Sequence, residues 1–257
     1  MYLDKILEKH RSVASVDARK LIDLTNQAKD CEPVRGFAKR LQRDSENRLA
    51  VIAEIKRRSP SRGALNHDLN PTDIAMQYRN GGASCLSVLT DEEFFGGSVS
   101  DLQQARAAVD LPVLRKDFTV SMKNICDARI MGADCVLLIA AALSRNELQE
   151  FFEFASDLEI DSLIEVHDET ELTTALEIGA TIIGVNQRDL KTFEVDHQRA
   201  VRMAAMMPDG IVKVAESGVK TRTDAQALRN AGYNAVLVGE SLVTSGDIIT
   251  SVKDLCV

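Results

Sequence analysis

Eight short apolar runs recur along the chain, and each has the length and composition of a buried strand. Successive runs start about 20 to 33 residues apart, which is the length of one strand, loop and helix unit. Eight such units without a dinucleotide-binding fingerprint favour a closed (β/α)8 TIM barrel over a doubly wound open sheet. The runs lie at 51–55, 84–89, 113–114, 135–139, 162–166, 181–185, 211–215 and 235–238.

Helix boundaries can be placed between these runs. Glycines just before several runs are typical of helix ends, and Ser, Thr or Asp residues after several runs are typical of helix starts. The first 45 residues are charged and have a helical pattern. We therefore expect one barrel domain over residues 1–257, in which residues 1–45 form an N-terminal helical extension. The expected helix starts are Ser100, Ser121, Ser144, Asp168 and Thr221.

The composition limits the functions open to the chain. A net charge of -8 argues against a general nucleic-acid surface, because such surfaces carry a basic excess. Five scattered cysteines argue against a disulfide framework or a metal site and favour a reducing compartment. No segment approaches the roughly 18 apolar residues of a membrane span. We therefore expect a cytoplasmic protein that binds neither nucleic acid nor membrane.

Charged residues stand at the carboxyl ends of the predicted strands, where barrel enzymes carry their chemistry. Glu54 and Lys56 are two residues apart in the first strand and so share one face. Burying an unpaired charge is costly, so these side chains need each other or a ligand. Balanced charge in a cleft suits general acid–base catalysis, whereas salt bridges between barrel layers are the structural alternative. The inward-facing set is Glu54, Lys56, Lys116, Glu165, Asn186 and Glu216.

The loops after the last two strands predict a phosphate site. Small residues there let backbone N–H groups approach an anion, and barrels frequently bind phosphate at this place. Glu240 can take part only through its backbone N–H, with its carboxylate turned away; otherwise the phosphate assignment at this residue is wrong. The predicted phosphate-binding loops contain Ser217, Gly218, Gly239 and Glu240.

Aromatic residues follow the second and third strands. Phe94, Phe95 and Phe118 can be ordinary packing of a lid, but their clustering near Lys116 suggests an apolar wall for a flat or aromatic group. No histidine is expected to act as the catalyst, and His167 is expected to point away from Glu165. The chain has neither a Walker loop nor a Gly-x-Gly-x-x-Gly motif, which argues against a nucleotide cofactor.

Seven sequence blocks carry a resemblance to a known family. Taken together and in this order, they resemble the indole-3-glycerol phosphate synthase family, and the resemblance covers essentially the whole chain. One departure is Gln187, where the family commonly has Asn; we expect it to point away from the barrel with little effect. The blocks are IAEIKRRSPSRG at 52–63, LSVLTDEEFFGGS at 86–98, LPVLRKDF at 111–118, LIEVHDETEL at 163–172, IIGVNQRDLKTFEVD at 182–196, VAESGV at 214–219 and AVLVGESLV at 235–243.

The resemblance implies a cofactor-free carbon–carbon lyase of tryptophan biosynthesis. Its substrate would be 1-(2-carboxyphenylamino)-1-deoxyribulose 5-phosphate, which closes to indole-3-glycerol phosphate with loss of carbon dioxide and water. Lys116 would be the general acid and Glu165 would transfer a proton during dehydration, while Glu54 and Lys56 tune the site. Desolvation is expected to lower the pKa of Lys116 toward the working range.

The resemblance also implies the residues that bind the substrate. Asn186 and Glu216 would bind hydroxyl groups, and Lys56 with Ser59 would hold the aromatic carboxylate. The substrate-binding set is Ser59, Phe94, Phe118, Arg188, Leu190, Glu216 and Ser217, and the phosphate-binding set is Lys56, Ser217, Gly218, Gly239 and Glu240.

The residues alone leave two other functions open. One is another phosphosugar enzyme on the same fold, such as an aldolase that forms a Schiff base through Lys56 or Lys116. The other is a scaffold subunit with a decayed site, against which the intact set of charged residues argues. We expect a monomer, and association with other enzymes of the tryptophan pathway stays open.

Overall fold

Eight parallel strands close into one barrel, and helices alternate with them along the chain. The computed structural model describes residues 2–59, 62–66, 68–189 and 192–257. Each predicted run coincides with a barrel strand to within about two residues, so the predicted (β/α)8 barrel is confirmed. The strands are β1 Ala50–Ile55, β2 Cys85–Leu89, β3 Val113–Lys116, β4 Cys135–Ile139, β5 Asp161–Val166, β6 Ile182–Asn186, β7 Val212–Glu216 and β8 Ala235–Val238.

The helices cover the outside of the barrel and both of its ends. Among the described residues, no helix is both long enough and apolar enough to cross a membrane. A short hairpin, Arg58–Ser59 with Gly63–Ala64, and a 3-10 turn, Ala140–Ala142, lie in two of the loops. The helices are α1 Tyr2–Ser15, α2 Leu21–Lys29, α3 Phe37–Ser45, α4 Pro71–Gly81, α5 Glu92–Phe95, α6 Val99–Ala108, α7 Met122–Ile130, α8 Arg145–Asp157, α9 Glu169–Glu177, α10 Arg199–Ala204, α11 Arg222–Asn230, α12 Glu240–Val243 and α13 Ile248–Leu255.

Strand pairing decides which ends meet. β1 pairs in parallel with both β2 and β8, so that Ile52 lies beside Cys85 and Ala50 beside Ala235. These four side chains belong to one buried apolar cluster. Because all eight strands run in the same direction, their carboxyl ends form one rim and carry the loops that can build a site.

The N-terminal helices close the two ends of the barrel. Phe37 and Leu41 of α3 are fully buried in the interior cluster. The backbone N–H of Ala38 donates to Asp161 at the start of β5, which places α3 at the amino end of the strands. Ile6 of α1 lies at the opposite end, where the carboxyl ends of the strands open. That all of residues 1–257 form one domain stays a prediction.

Four of the five predicted helix starts are N-caps. Ser144, Asp168 and Thr221 each accept a hydrogen bond from a backbone N–H in the first turn of the helix that follows. Ser121 is the N-cap of α7. The prediction that a helix starts at Ser100 was wrong, because this residue lies inside α6. Ser98 is the N-cap instead: the Ser98 hydroxyl accepts a hydrogen bond from the backbone N–H of Asp101.

Candidate active site

A cavity of about 530 Å³ opens between the carboxyl ends of the strands. Tyr2, Leu3 and Ile6 of α1 form part of its wall. The predicted charged and polar residues converge here because parallel strands end at the same rim. From the predicted sets, the lining includes Glu54, Lys56, Ser59, Lys116, Phe118, Glu165, Asn186, Arg188, Glu216, Ser217, Gly218, Gly239 and Glu240.

Glu165, near the end of β5, is only 1% exposed. Lys116 donates a hydrogen bond from Nζ to its Oε2 at 3.3 Å, and Asn186 donates from Nδ2 to Oε1 at 3.2 Å. Burial alone would raise the pKa of Glu165, but Lys116, His167 and Asn186 together lower it well below its usual range. The site therefore holds an ionised and almost fully buried carboxylate at the rim of the barrel.

Lys116, at the end of β3, holds its proton more tightly than a free lysine. Burial alone would lower its pKa, yet the carboxylates of Glu165, Glu216 and Glu54 together raise it above the usual value. The expectation that desolvation lowers this pKa was wrong, because three acidic neighbours outweigh burial. A protonated amine is nevertheless the form that a general acid needs.

Glu216, at the end of β7, is a carboxylic acid that keeps its proton at neutral pH. Burial, and then the negative charge of Glu165, raise its pKa from 4.5 to about 8. The side chain fits because residue 184 is glycine: a Cβ added at Gly184 would lie 2.1 Å from Oε1 of Glu216. A neutral carboxyl group can donate a hydrogen bond as well as accept one, which suits contact with a hydroxyl group.

The raised pKa of Glu216 has a measurable effect on stability. Between pH 4.5 and about 8, the folded protein keeps a proton on Glu216 that the unfolded chain has lost. The contribution of Glu216 to the free energy of unfolding therefore falls by about 1.4 kcal/mol for each unit of rising pH in that window. Glu216→Gln removes this contribution, so we expect its thermal unfolding temperature to exceed that of the parent by a margin that grows from pH 5 to pH 8. The exposed Glu150→Gln variant should show no such trend, and a constant margin for Glu216→Gln would contradict the assignment.

Glu54 and Lys56 form the ion pair that their spacing predicts. Lys56 Nζ lies 2.5 Å from Oε1 of Glu54, and the carboxylate is almost fully buried. Gly239 of the loop after β8 packs against it: a Cβ at that position would lie 2.5 Å from Oε1. The pair is thus a salt bridge and also part of the cavity wall; that it takes part in acid–base chemistry stays a prediction.

The loop after β7, one of the two predicted phosphate loops, has a left-handed backbone. Ser217 and Gly218 both have positive φ, at 66° and 79°, and this left-handed backbone is costly for a serine. Two hydrogen bonds hold it: the Ser217 hydroxyl donates to Oδ1 of Asn186 at 2.8 Å, and Nε2 of Gln187 donates to the Ser217 carbonyl at 2.8 Å. Gln187 therefore supports the loop from behind, a role that the sequence did not indicate.

Glu240 faces two arginines at the other predicted phosphate loop. Its Oε1 lies 3.0 Å from Nε of Arg62, and its Oε2 lies 4.0 Å from Nη2 of Arg188. The arginines come from the loops after β1 and β6, so three loops meet at this side of the mouth. The carboxylate thus binds the cations that surround the predicted phosphate site.

One group of metal-ligating side chains occurs in the described part of the chain. His10, Asp91 and Asp117 each offer an atom, and these atoms lie within 4.8 Å of one another. However, Asp117 already accepts from Arg115 at 2.7 Å and from the Thr90 hydroxyl at 2.5 Å. The positive charge of Arg115 disfavours binding of a metal cation at the same carboxylate. The group instead fits a contact that holds α1 in place, because His10 Nε2 of that helix lies 3.0 Å from Oδ2 of Asp91.

Comparisons with known proteins identify the family of this chain. The family model described as indole-3-glycerol phosphate synthase matches residues 3–255. An indole-3-glycerol phosphate synthase of Chloroherpeton thalassium is 48% identical over 247 residues, which is 95% of this chain and 95% of that protein. Indole-3-glycerol phosphate synthase 1 of Streptomyces coelicolor is 47% identical over 98% of this chain and 94% of that protein. The chain belongs to the indole-3-glycerol phosphate synthase family.

Solved structures of other proteins share the fold. Thiamine phosphate pyrophosphorylase from Pyrococcus furiosus superimposes with a TM-score of 0.59 at 15% identity, covering 82% of this chain and 95% of that one. N-acetylmannosamine-6-phosphate 2-epimerase from Clostridium perfringens gives 0.58 at 12% identity, over 75% and 86%. At these identities, the likeness concerns the barrel alone.

Of the residues implied by the resemblance to indole-3-glycerol phosphate synthase, Phe94 does not line the described part of the cavity. Phe94 packs edge-on against Tyr2, with ring centroids 5.9 Å apart, while Phe95 lines the cavity beside Phe118. Leu190 lies outside the described residues. That either residue binds substrate stays a prediction.

His167 was placed wrongly from the sequence. It was expected to point away from Glu165, but its Nε2 lies 3.3 Å from Oε1 of Glu165. The reason is the two-residue period of a strand, which puts residues 165 and 167 on the same side. The same rule that paired Glu54 with Lys56 could have found this contact.

Proposed function

We propose that this protein closes the indole ring of indole-3-glycerol phosphate. It would convert 1-(2-carboxyphenylamino)-1-deoxyribulose 5-phosphate into that product, with release of carbon dioxide and water. Family membership over residues 3–255 supports this reaction. The observation that carries it is the contact of Lys116 with Glu165 inside a cavity that is large enough for such a substrate.

Lys116 has the general-acid role in the first step. The aryl carbon that bears the carboxylate attacks the ketose carbonyl, and Lys116 gives its proton to the carbonyl oxygen as the new C–C bond forms. The bond to the carboxylate then breaks, and its electron pair restores the aromatic ring. Burial of the Lys116 amine supports this role, because a desolvated cation stabilises the developing alkoxide more strongly than it would in water.

Glu165 moves protons in the second step. The hydroxyl formed by ring closure leaves as water, and a proton leaves the adjacent carbon. An ionised carboxylate is suited to accept that proton, and Lys116 at 3.3 Å can exchange a proton with it. Glu54 and Lys56 keep the charge of the rim balanced, while Asn186 and Glu216 bind the hydroxyls of the sugar chain.

Different sets of residues bind the two ends of the substrate, and Lys56 belongs to both sets. The phosphate lies against the backbone of Ser217, Gly218, Gly239 and Glu240, with Lys56 nearby. The aromatic ring packs against Phe118, and its carboxylate is held by Lys56 and Ser59. Arg188 lies beside the phosphate loops, where its cation adds to the backbone dipoles.

Glu240→Gln tests the phosphate assignment. The carboxylate of Glu240 repels a phosphate and partly neutralises the positive charge of Arg62 and Arg188. The neutral amide keeps the size of the side chain, so we expect binding of substrate, or of inorganic phosphate, to tighten about three- to tenfold. Calorimetric titration against the parent and Glu150→Gln measures it. Weaker binding would mean that the carboxylate is needed to hold the arginines.

The direct test of the function is an assay of indole-3-glycerol phosphate formation by the purified protein. No product from the parent protein would contradict the proposal. A Schiff-base aldolase loses support because both candidate lysines are in ion pairs, and the raised pKa of Lys116 keeps its amine protonated and non-nucleophilic. Borohydride should therefore trap no adduct with the substrate.

A further inference from the structure

His167 lies between two carboxylates at the junction of β5 and α9. Its Nε2 is 3.3 Å from Oε1 of Glu165, and its Nδ1 is 3.1 Å from Oε2 of Glu171. The side chain of His167 is 11% exposed, while that of Glu171 is 21% exposed. The three residues therefore form a line from the helix surface to the buried carboxylate of the site.

Glu171 anchors the imidazole from the outside. Its Oε2 accepts a hydrogen bond from the backbone N–H of His167 at 2.7 Å and contacts the ring nitrogen as well. The backbone N–H of Glu171 in turn donates to the N-cap residue Asp168 at 2.8 Å. The position of the His167 ring is thus set by the start of α9, independently of Glu165.

The contact of His167 with Glu165 is electrostatic. Within the described residues, the buried Nε2 has no well-aligned hydrogen-bond partner, although a carboxylate oxygen lies 3.3 Å away. Burial alone would lower the pKa of His167, but Glu165 and Glu171 together raise it to about 10. The ring is therefore a cation at neutral pH. Glu165 also accepts from the amine of Lys116 at Oε2 and from the amide of Asn186 at Oε1, and the carboxyl group of Glu216 interacts with it as well.

We propose that His167 is a positioning residue, whose imidazolium, anchored by Glu171, keeps the carboxylate of Glu165 in place and ionised. This role of His167 rests on the proposed function, in which Glu165 moves protons during the dehydration. Lys116 must give up its charge when it donates its proton. At that moment His167 is the cation that still compensates the buried charge of Glu165.

Steady-state kinetics of His167→Gln over a range of pH tests the role. Glutamine keeps a polar group of similar reach but has no charge. We expect kcat to fall about ten- to hundredfold with little change in KM, and the acidic limb of the kcat profile to move up by about one pH unit. Glu171→Gln, which leaves His167 in place, should shift the same limb in the same direction by less. Glu169→Gln, the same change on an exposed residue of α9, should leave the profile unchanged.

If the acidic limb of the kcat–pH profile is the same in folded, active His167→Gln and Glu171→Gln as in the parent, the proposal is overturned, even if kcat itself falls. The unfolding temperature of each variant shows whether it is folded. If His167→Gln does not fold, Glu171→Gln decides alone.

Proton NMR of the parent protein gives a readout that needs no activity. The chain has four histidines, and a folded His167→Gln variant, or otherwise Glu171→Gln, identifies the ring resonance by its loss or shift. We expect that resonance to keep the chemical shift of a charged ring through pH 8, and titration near pH 6.5 would overturn the proposal. A parent protein without synthase activity would contradict the proposed function while leaving this titration to decide the charge of His167.

Discussion

Lys116→Ala is expected to lower kcat for indole-3-glycerol phosphate formation by about 10²- to 10⁴-fold, the usual contribution of a positioned general acid. The physical reason is that the amine that donates to Glu165 disappears, and with it the proton for the ketose oxygen. KM should change much less, because Lys116 acts on charge that develops in the transition state. Steady-state kinetics with the substrate measures both constants.

The control for Lys116→Ala is Lys213→Ala. Lys213 also belongs to a barrel strand, β7, but its amine lies outside the cavity and donates a hydrogen bond to the carbonyl of Ala204. It should keep the activity of the parent. Removing one partner of a buried ion pair costs about 3–5 kcal/mol, but His167 and Asn186 still contact Glu165, so we expect a smaller loss of stability. Parent-like activity in folded Lys116→Ala would contradict the acid assignment.

Glu165→Gln is expected to have an effect of similar size, about 10²- to 10⁴-fold on kcat. The amide keeps the shape of the side chain and its contact with Asn186, but it cannot accept a proton. It also removes the largest influence that raises the pKa of Lys116, so burial should then lower that pKa. The basic limb of the pH–rate profile should therefore move to lower pH.

The coupling of the pair gives Glu165→Gln a second readout. Because Lys116 and Glu165 are in contact, the double variant should lose less activity than the product of the two single losses. Glu177→Gln on α9, an exposed residue paired with Arg145, serves as the control. Strictly multiplicative losses, or an unmoved basic limb, would show that the two groups act independently.

The barrel could be predicted from the sequence because its signal is local and repeated. Buried parallel strands are continuous apolar runs, and the connecting unit has a nearly constant length. Several runs also end in a charged side chain, and parallel strands share one carboxyl rim, so Glu54, Lys116, Glu165 and Glu216 could all be assigned to that rim. The pairing of Glu54 with Lys56 needed only the two-residue period of a strand.

The pairing of Lys116 with Glu165 could not be predicted in this way. The residues are on β3 and β5, and β4 lies between them. Whether their side chains touch depends on the tilt and register of three strands, which no local pattern records. The same holds for Glu240, whose arginines come from two other loops.

By itself, the sequence determined the (β/α)8 barrel, the rim at which the polar residues gather and the family to which the chain belongs. Only the tertiary structure decided which charges are partners, and therefore the direction of each pKa shift. The physical reason is that a pKa depends on distances of a few ångströms between groups far apart in the chain. That is why Lys116 has a raised pKa although burial alone would lower it, and why His167 faces Glu165 as a cation.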